Sequence, residues 1–271
     1  MLPLKDFNPT SRRAWVTVGL IAACALVWFV VQPASERLTT LRGSDAALSE
    51  DRFTLSRAAI PEEVSRRRPL TVGEIARPRQ VGRRVQLDHA VLACDSIRRP
   101  SDVGARLDKP CFPNKHVELA VVTSMFLHGS TSHLLFNMLF LWIFGNNIED
   151  RFGRVRYLVF YLAAGIIATL AHVALDPASV VPVVGASGAI AGVMGAYLAL
   201  YPNVRILGLV GVFPIPIRAK WFLGFWFVSQ FFLSPGSGVA WVAHVGGFAF
   251  GLAVGLGVRT LGATTARAAS T

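Results

Sequence analysis

Charged side chains are scarce in this chain: they make up 16% of its 271 residues, while 53% are hydrophobic. That balance is too apolar for an ordinary soluble domain and makes a membrane protein the first expectation. Other absences narrow the chemistry. There is no H-E-x-x-H pattern, so the helical signature of zinc hydrolases is missing. No Asp falls within the long apolar runs, which excludes a hydrolase built on two intramembrane aspartates. Neither an internal repeat nor an inverted half-to-half similarity is visible, and no intramembrane charges pair, which argues against a small transporter or channel.

A net charge of +11 raises nucleic acid as a partner, but its distribution argues otherwise. Sixteen of the 27 Lys and Arg lie between residues 34 and 118, interleaved with twelve Asp and Glu, so that stretch carries only +4. It has the composition of a solvated mixed-charge segment rather than a phosphate-binding stripe, and no nucleic acid is expected.

What the chain does have is apolar runs near the roughly 20 residues that a helix needs to cross a bilayer. They lie at about 14–31, 120–145, 155–175, 183–201, 217–233 and 239–258, which makes six spans. The first follows Arg12 and Arg13, and no A-x-A-like cleavage site closes it, so it reads as a retained helix. Outside residues 34–118 the basic residues sort by position. Lys5, Arg12 and Arg13 precede the first span; Arg151, Arg154 and Arg156 follow the second; Arg205, Arg218 and Lys220 follow the fourth; Arg259 and Arg267 follow the sixth. The alternate connections, 176–182 and 234–238, contain none. By the positive-inside rule both termini are cytoplasmic, and residues 34–118, long enough to translocate regardless of charge, fall outside.

Residues 34–118 differ from the rest, with Arg66, Arg67 and Arg68 in a row, repeated Pro and Glu, and few aromatics. They form either a small disulfide-pinned insertion or a largely disordered loop. Cys94 and Cys111 both lie there, bridged or free, whereas Cys24 sits in the first span as a small apolar residue. Alternation from Val81 to Leu87 hints at strand. Residues 206–216, apolar but interrupted by Gly208, Gly211, Pro214 and Pro216, read as an interfacial re-entrant segment.

Polar groups in a bilayer are costly unless paired or facing a cavity, so the few present are functional candidates. His128, His133 and Asn137 stand at the start of the second span, the last two sharing a helix face. Ser187 opens the fourth span between Gly185 and Gly188. His244 shares one face of the sixth with Gly247, Gly251 and Gly255. Small residues let membrane helices approach closely, so these two faces are expected to pack and bring Ser187 to His244. A Ser beside a neutral His is the minimum for nucleophilic catalysis: imidazole takes the hydroxyl proton as oxygen attacks a carbonyl, then returns it to the leaving amine. His133, Asn137 and the Ser187 backbone N–H are the donors available for the oxyanion. Each feature alone has a plainer explanation, since Gly and Ser are common packing residues and His89, His116 and His172 read as interfacial or surface residues. A metal is the rival for the histidines, but no intramembrane carboxylate pairs with them, so no metal and no cofactor is expected.

Taken together, the motifs of residues 118–258 resemble the rhomboid family. His128, His133 and Asn137 fit its H-x-x-x-x-H-x-x-x-N element, Glu149 and Gly153 its acidic and glycine positions, Gly185 to Gly188 its G-x-S-G, and Ala243 to Gly251 its A-H-x-x-G-x-x-x-G. The resemblance implies an all-α polytopic membrane protein with a six-helix bundle and a long loop between the first and second helices. It implies a Ser187–His244 dyad without a triad aspartate, and a water-filled pocket open to the outside. His133 and Asn137 would serve the oxyanion hole, with His128 in support. Residues 234–240 would form a lid, and the fifth span would gate lateral passage of substrate. The substrates implied are single-span or polytopic membrane proteins cut within the lipid bilayer of the cell membrane. The expected organisation is a cytoplasmic tail at 1–13, a first helix at 14–33, an extracytoplasmic loop or insertion at 34–118, a catalytic core at 119–258 and a second cytoplasmic tail at 259–271.

Two positions depart from the family. Leu119 and Ala120 stand where a Trp-Arg pair is common, so that loop is expected to be anchored differently. Ala191 replaces an aromatic that stacks on the catalytic His in some members, so His244 is expected to be held less rigidly. The alternative function is a catalytically inactive rhomboid-like protein that binds membrane helices; loss of Ser187 or His244 would mark that class, and both are present.

The charge pattern makes a testable statement about orientation. On intact cells an impermeant thiol reagent should label Cys94 or Cys111, directly if they are free and after an impermeant reductant if they are bridged, while Cys24 stays unreactive in lipid. Labelling of either only after the membrane is broken would invert the assignment.

Overall fold

The structure, a computed structural model, describes residues 1–33, 43–77, 80–81, 84–85, 89–97, 99–233 and 240–268. Along the chain these form β1 (Leu2–Asp6), α1 (Trp15–Leu26) continued by a π-turn over Val27–Val31, α2 (Gly43–Arg57), α3 (Pro61–Arg66), α4 (Val72–Ala76), β2 (Gln80–Val81), β3 (Arg84–Val85), α5 (His89–Leu92), α6 (Val117–Thr123), α7 (Thr131–Phe152), α8 (Arg154–Leu175), α9 (Ser187–Leu200), β4 (Arg205–Val210), β5 (Phe213–Arg218), α10 (Ala219–Ser229) and α11 (Trp241–Ala268). They make two compact units: one of Met1–Ala23, Leu135–His172 and Ala186–Thr271, the other of Cys24–Leu134 and Val173–Gly185.

The first unit is organised around α9. Its residues from Gly188 to Tyr197 are all buried, because glycine and alanine on every side let neighbours close in. Toward α8, a methyl on Gly188 would stand 2.7 Å from the Cβ of Ala168, and one on Gly192 2.6 Å from that of Ala164. Toward α11 the approach is backbone to backbone. A Cβ on Gly247 would run into the carbonyl oxygen of Gly188, and one on Gly251 into that of Gly192.

At the other end of the unit, the carboxylate of Glu149 accepts hydrogen bonds from the backbone N–H of Val16 (2.9 Å) and Thr17 (2.8 Å) and from the Thr17 hydroxyl (2.8 Å). It thereby satisfies N–H groups that open α1, where negative charge is favoured. Gly153, at φ 78°, ends α7 in the left-handed conformation and donates to the Glu149 carbonyl at 2.8 Å before α8 begins.

Residues 206–216 are a β-hairpin and not the re-entrant segment expected from their Gly and Pro content. β4 pairs antiparallel with β5 through a two-residue turn, in which Gly211 takes the positive φ of 61° that such turns require. Pro214 and Pro216, two residues apart, lack N–H groups on one side of β5, which suits its place at the sheet edge. β1 covers the other side of β4, from Leu2 opposite Leu209 to Asp6 opposite Ile206. Asp6, the half-buried last residue of β1, has its carboxyl raised above the ordinary range by partial desolvation, against hydrogen bonds from Tyr197 (2.9 Å) and Asn147 (2.6 Å).

The second unit resolves the two alternatives for the 34–118 segment: its described residues are a folded, disulfide-pinned insertion. Leu55, Ile60, Leu70, Val72, Ile75, Val91, Phe112 and the bonded pair Cys94–Cys111 form one apolar core. The bridge closes 17 positions of sequence, worth roughly 3 kcal/mol on the chain-entropy model. Glu63 and Lys115 form an ion pair inside this core, each side chain 1% exposed. Burial raises the Glu63 carboxyl and lowers the Lys115 amine, and their mutual attraction opposes both shifts. Thr71 and Glu74 make a reciprocal capping box that starts α4. The Arg68 guanidinium at the Glu74 carboxylate contributes most to holding it down to about 2. The strand hint at 81–87 is met by the short β2–β3 pairing over Gln80–Val81 and Arg84–Val85; residues 82–83 and 86–87 lie outside the described residues.

Among the described residues, α8 and Trp241–Leu261 of α11 are long and apolar enough to cross a membrane as single helices. Val117–Phe126 and α7 count as a third only if they are taken as one broken span, because the chain turns by 81° between them. The expected run at 120–145 is thus interrupted, and its long helix starts at Thr131. Trp15–Val31 and Ser187–Leu200 are shorter apolar helices. Fourteen residues rise about 21 Å, less than a hydrocarbon core of about 30 Å. Helix α9 is enclosed by protein, so its ends need not reach two interfaces.

Gly251→Ala should therefore lower stability by about 1–3 kcal/mol, the usual cost of overpacking, since its new methyl meets the fixed carbonyl of Gly192. Gly257→Ala, on the same helix and with open space around it, is the control and should be neutral or slightly stabilising. Thermal unfolding in detergent separates them; equal behaviour would sink the close-approach argument.

Candidate active site

The glycine-mediated packing carries Ser187 at the start of α9 to His244 in the first turn of α11. Just before it, Gly185 adopts φ 119°, a conformation that side chains disfavour, and its N–H donates to the carbonyl of Ser124 at 2.9 Å. The serine hydroxyl makes no cap to its own helix. Instead Ser187 Oγ lies 2.8 Å from His244 Nε2, at hydrogen-bond distance. Both residues are half-buried, so the pair is neither sealed in the core nor freely hydrated.

Two contacts on His244 were not anticipated from sequence. Its Nδ1 lies 2.7 Å from Oε1 of Gln230, a buried residue in the 3₁₀ turn that follows α10. The indole of Trp226, one turn earlier, lies 5.9 Å from the imidazole, tilted by 38°. The looser hold expected for His244 from Ala191 is offset by Trp226 and Gln230, from α10 and its end, which both meet the imidazole. A Gln and a Trp in an apolar run look like ordinary interfacial residues; the available signal was their spacing of four, which puts both on one helix face.

The remaining candidates sit around α7. His128 lies fully buried in the break before that helix, where Gln32 grips its backbone twice: Gln32 Nε2 donates to its carbonyl at 2.6 Å, and its N–H donates to Gln32 Oε1 at 3.2 Å. Gln32 is a third residue that sequence reasoning missed. The His133 ring meets the His128 ring edge to face, 5.2 Å between centroids. The backbone N–H of His133 is held by the Ser130 hydroxyl at 3.1 Å, a side-chain cap at the helix start. Asn137, one turn further, is 6% exposed, and its amide nitrogen has no acceptor among the described residues. A buried donor left unbonded costs free energy, which makes the Asn137 amide nitrogen a candidate to bond a further acceptor. Gly188 serves packing against Ala168. Of the proposed lid, residues 234–239 lie outside the described residues.

Comparison with known sequences identifies the family of this chain. The family model described as the Rhomboid domain matches residues 117–260. Rhomboid protease GluP of Bacillus subtilis (strain 168) is 41% identical over 93 residues, 34% of this chain and 18% of that protein. Rhomboid protein 1, mitochondrial, of Saccharomyces cerevisiae is 32% identical over 147 residues, 51% of this chain and 41% of that protein. Presenilin-associated rhomboid-like protein A, mitochondrial, of Danio rerio is 36% identical over 94 residues, 34% of this chain and 24% of that protein. The chain spans less than half the length of each of these relatives.

Proposed function

We propose that this chain, which belongs to the rhomboid family, is a serine endopeptidase that hydrolyses peptide bonds in or near the membrane-spanning segments of other membrane proteins. The observation that carries the reading is the 2.8 Å separation of Ser187 Oγ and His244 Nε2 at the meeting of two helix starts. In the proposed reaction His244 accepts the hydroxyl proton as Ser187 Oγ attacks the scissile carbonyl. It then donates that proton to the leaving amine, and water resolves the acyl-enzyme by the same route in reverse. The oxyanion is assigned to the Ser187 backbone N–H, at the positive end of α9, with the side chains of Asn137 and His133. The amide nitrogen of Asn137, which has no acceptor among the described residues, supports its part in this. His128 would hold the backbone before α7, and no metal or cofactor is required.

The protein is a membrane protein, and we assign it six spans with both termini cytoplasmic. The Cys94–Cys111 bridge supports this orientation, because disulfides persist in oxidising compartments and are rare in the cytosol. Substrates would be single-span or polytopic membrane proteins that reach the site from the lipid bilayer.

Ser187→Ala and His244→Ala should each abolish both cleavage and labelling by a fluorophosphonate, and the double variant should be no worse than either single one, because nucleophile and base act as a unit. Cleavage is measured by incubating the protein with a panel of single-span membrane proteins and mapping products by mass spectrometry. Wild-type rates in either single variant would remove the dyad; a wild-type protein that neither cuts nor labels would instead point to the inactive, helix-binding alternative.

Asn137→Ala and His133→Ala should each lower turnover by about 10² to 10³, the usual loss for one oxyanion donor. Unchanged turnover in both would move the oxyanion site elsewhere.

A further inference from the structure

The hydrogen bonds around Gln230 run in only one direction, and the constraint begins in the backbone. At the end of α10 the helix tightens into a 3₁₀ turn, so the Gln230 N–H bonds back to the Phe227 carbonyl, three residues earlier. That leaves the Trp226 carbonyl, the usual partner four residues back, to be satisfied by side chains. Ser229 Oγ donates to it at 2.6 Å, and Gln230 Nε2 at 3.0 Å. A carbonyl oxygen only accepts. The Ser229 hydroxyl proton is spent on Trp226, so Ser229 Oγ accepts from Gln230 Nε2 at 3.3 Å. Two acceptors on one side of the Gln230 amide require its nitrogen to face them and its oxygen to face His244. An amide oxygen also only accepts, so the proton between Gln230 Oε1 and His244 Nδ1, 2.7 Å apart, must be on the imidazole. A neutral imidazole carrying its proton on Nδ1 has a lone pair on Nε2, the atom that faces Ser187 Oγ.

We propose that Gln230 is a positioning residue that holds His244 in the Nδ1–H tautomer and in the ring orientation that makes Nε2 the proton acceptor for Ser187. The proposal rests on the dyad reading above and deepens it: the place that a carboxylate takes in a Ser-His-Asp triad is filled here by a neutral amide. A neutral partner suits a site of low polarity, where a third buried charge would cost several kcal/mol to desolvate. It orients the imidazole but offers less to the imidazolium that forms during the reaction than a carboxylate would.

The test uses the full chain in detergent micelles with two readouts. The first is the nitrogen chemical shift pattern of His244 in protein labelled with ¹⁵N-histidine, assigned by comparison with His244→Ala; this needs no activity. The second is the rate of fluorophosphonate labelling. In wild type His244 should be the Nδ1–H tautomer. Gln230→Met, which keeps length but removes the acceptor, should shift the population toward Nε2–H and slow labelling by about 10- to 100-fold, part of the roughly 10² to 10⁴ contributed by a positioned base. Gln230→Glu, which keeps an acceptor oxygen, should restore both. The Ser229 hydroxyl still caps the Trp226 carbonyl in these variants, so thermal unfolding should change little. An Nε2–H tautomer in wild type, or wild-type labelling in Gln230→Met, would overturn the proposal. Absence of labelling in wild type would sink the protease reading instead, and the tautomer would still decide whether Gln230 sets the imidazole.

Discussion

The distance between the α9 and α11 backbones is the constraint on which the rest depends. Between lipid and protein there is little hydrophobic force to press two apolar helices together, so they associate through close van der Waals contact, and only glycine permits contact at backbone range. Gly188 with Gly247 and Gly192 with Gly251 are two rungs of such contact. They place a serine at one helix start against a histidine in the first turn of the other, at a separation that larger side chains would not allow. The same rungs explain why α9 is buried from Gly188 to Tyr197: a helix with so little side-chain volume is covered by its neighbours.

In each unit, groups that need fixed directions are tied to backbone ends. Gly185 turns the chain into α9 and is anchored on Ser124, the 3₁₀ end of α10 aims Gln230, and Ser130 caps the start of α7. Helix ends carry N–H and C=O groups that the helix itself leaves unsatisfied, so they can hold side chains in defined directions without extra polar residues. This economy matters where each unpaired polar group is expensive. The disulfide-pinned insertion follows other rules. It is small, and it adds a disulfide and a buried Glu63–Lys115 pair to its apolar core.

Much of the site was legible because polar residues are rare in apolar runs and stand out. Ser187, His244, His133 and Asn137 were all singled out as candidates in that way, and the small-residue faces of two runs foretold which helices would touch. Gln230 and Trp226 were not found, because their importance lies in a direction and not in a composition: nothing in the one-dimensional pattern says that the Trp226 carbonyl is released by a 3₁₀ turn. The hairpin at 205–218 was missed for a related reason. Prolines and glycines in an apolar stretch break a helix, but whether the result is a loop or a strand depends on a partner, and here one partner is β1, about two hundred residues away in the chain.

The sequence by itself determined the membrane character, the family and the choice of Ser187 and His244 as the candidate pair, since these rest on composition and on residue types at short spacings, which survive in one dimension. Only the tertiary structure decided whether the 34–118 segment folds, that Cys94 meets Cys111, that the run at 120–145 is broken, and how His244 is oriented. Each of those depends on which distant groups come within a few ångströms, and hydrogen bonds, disulfides and steric contacts act only over that range.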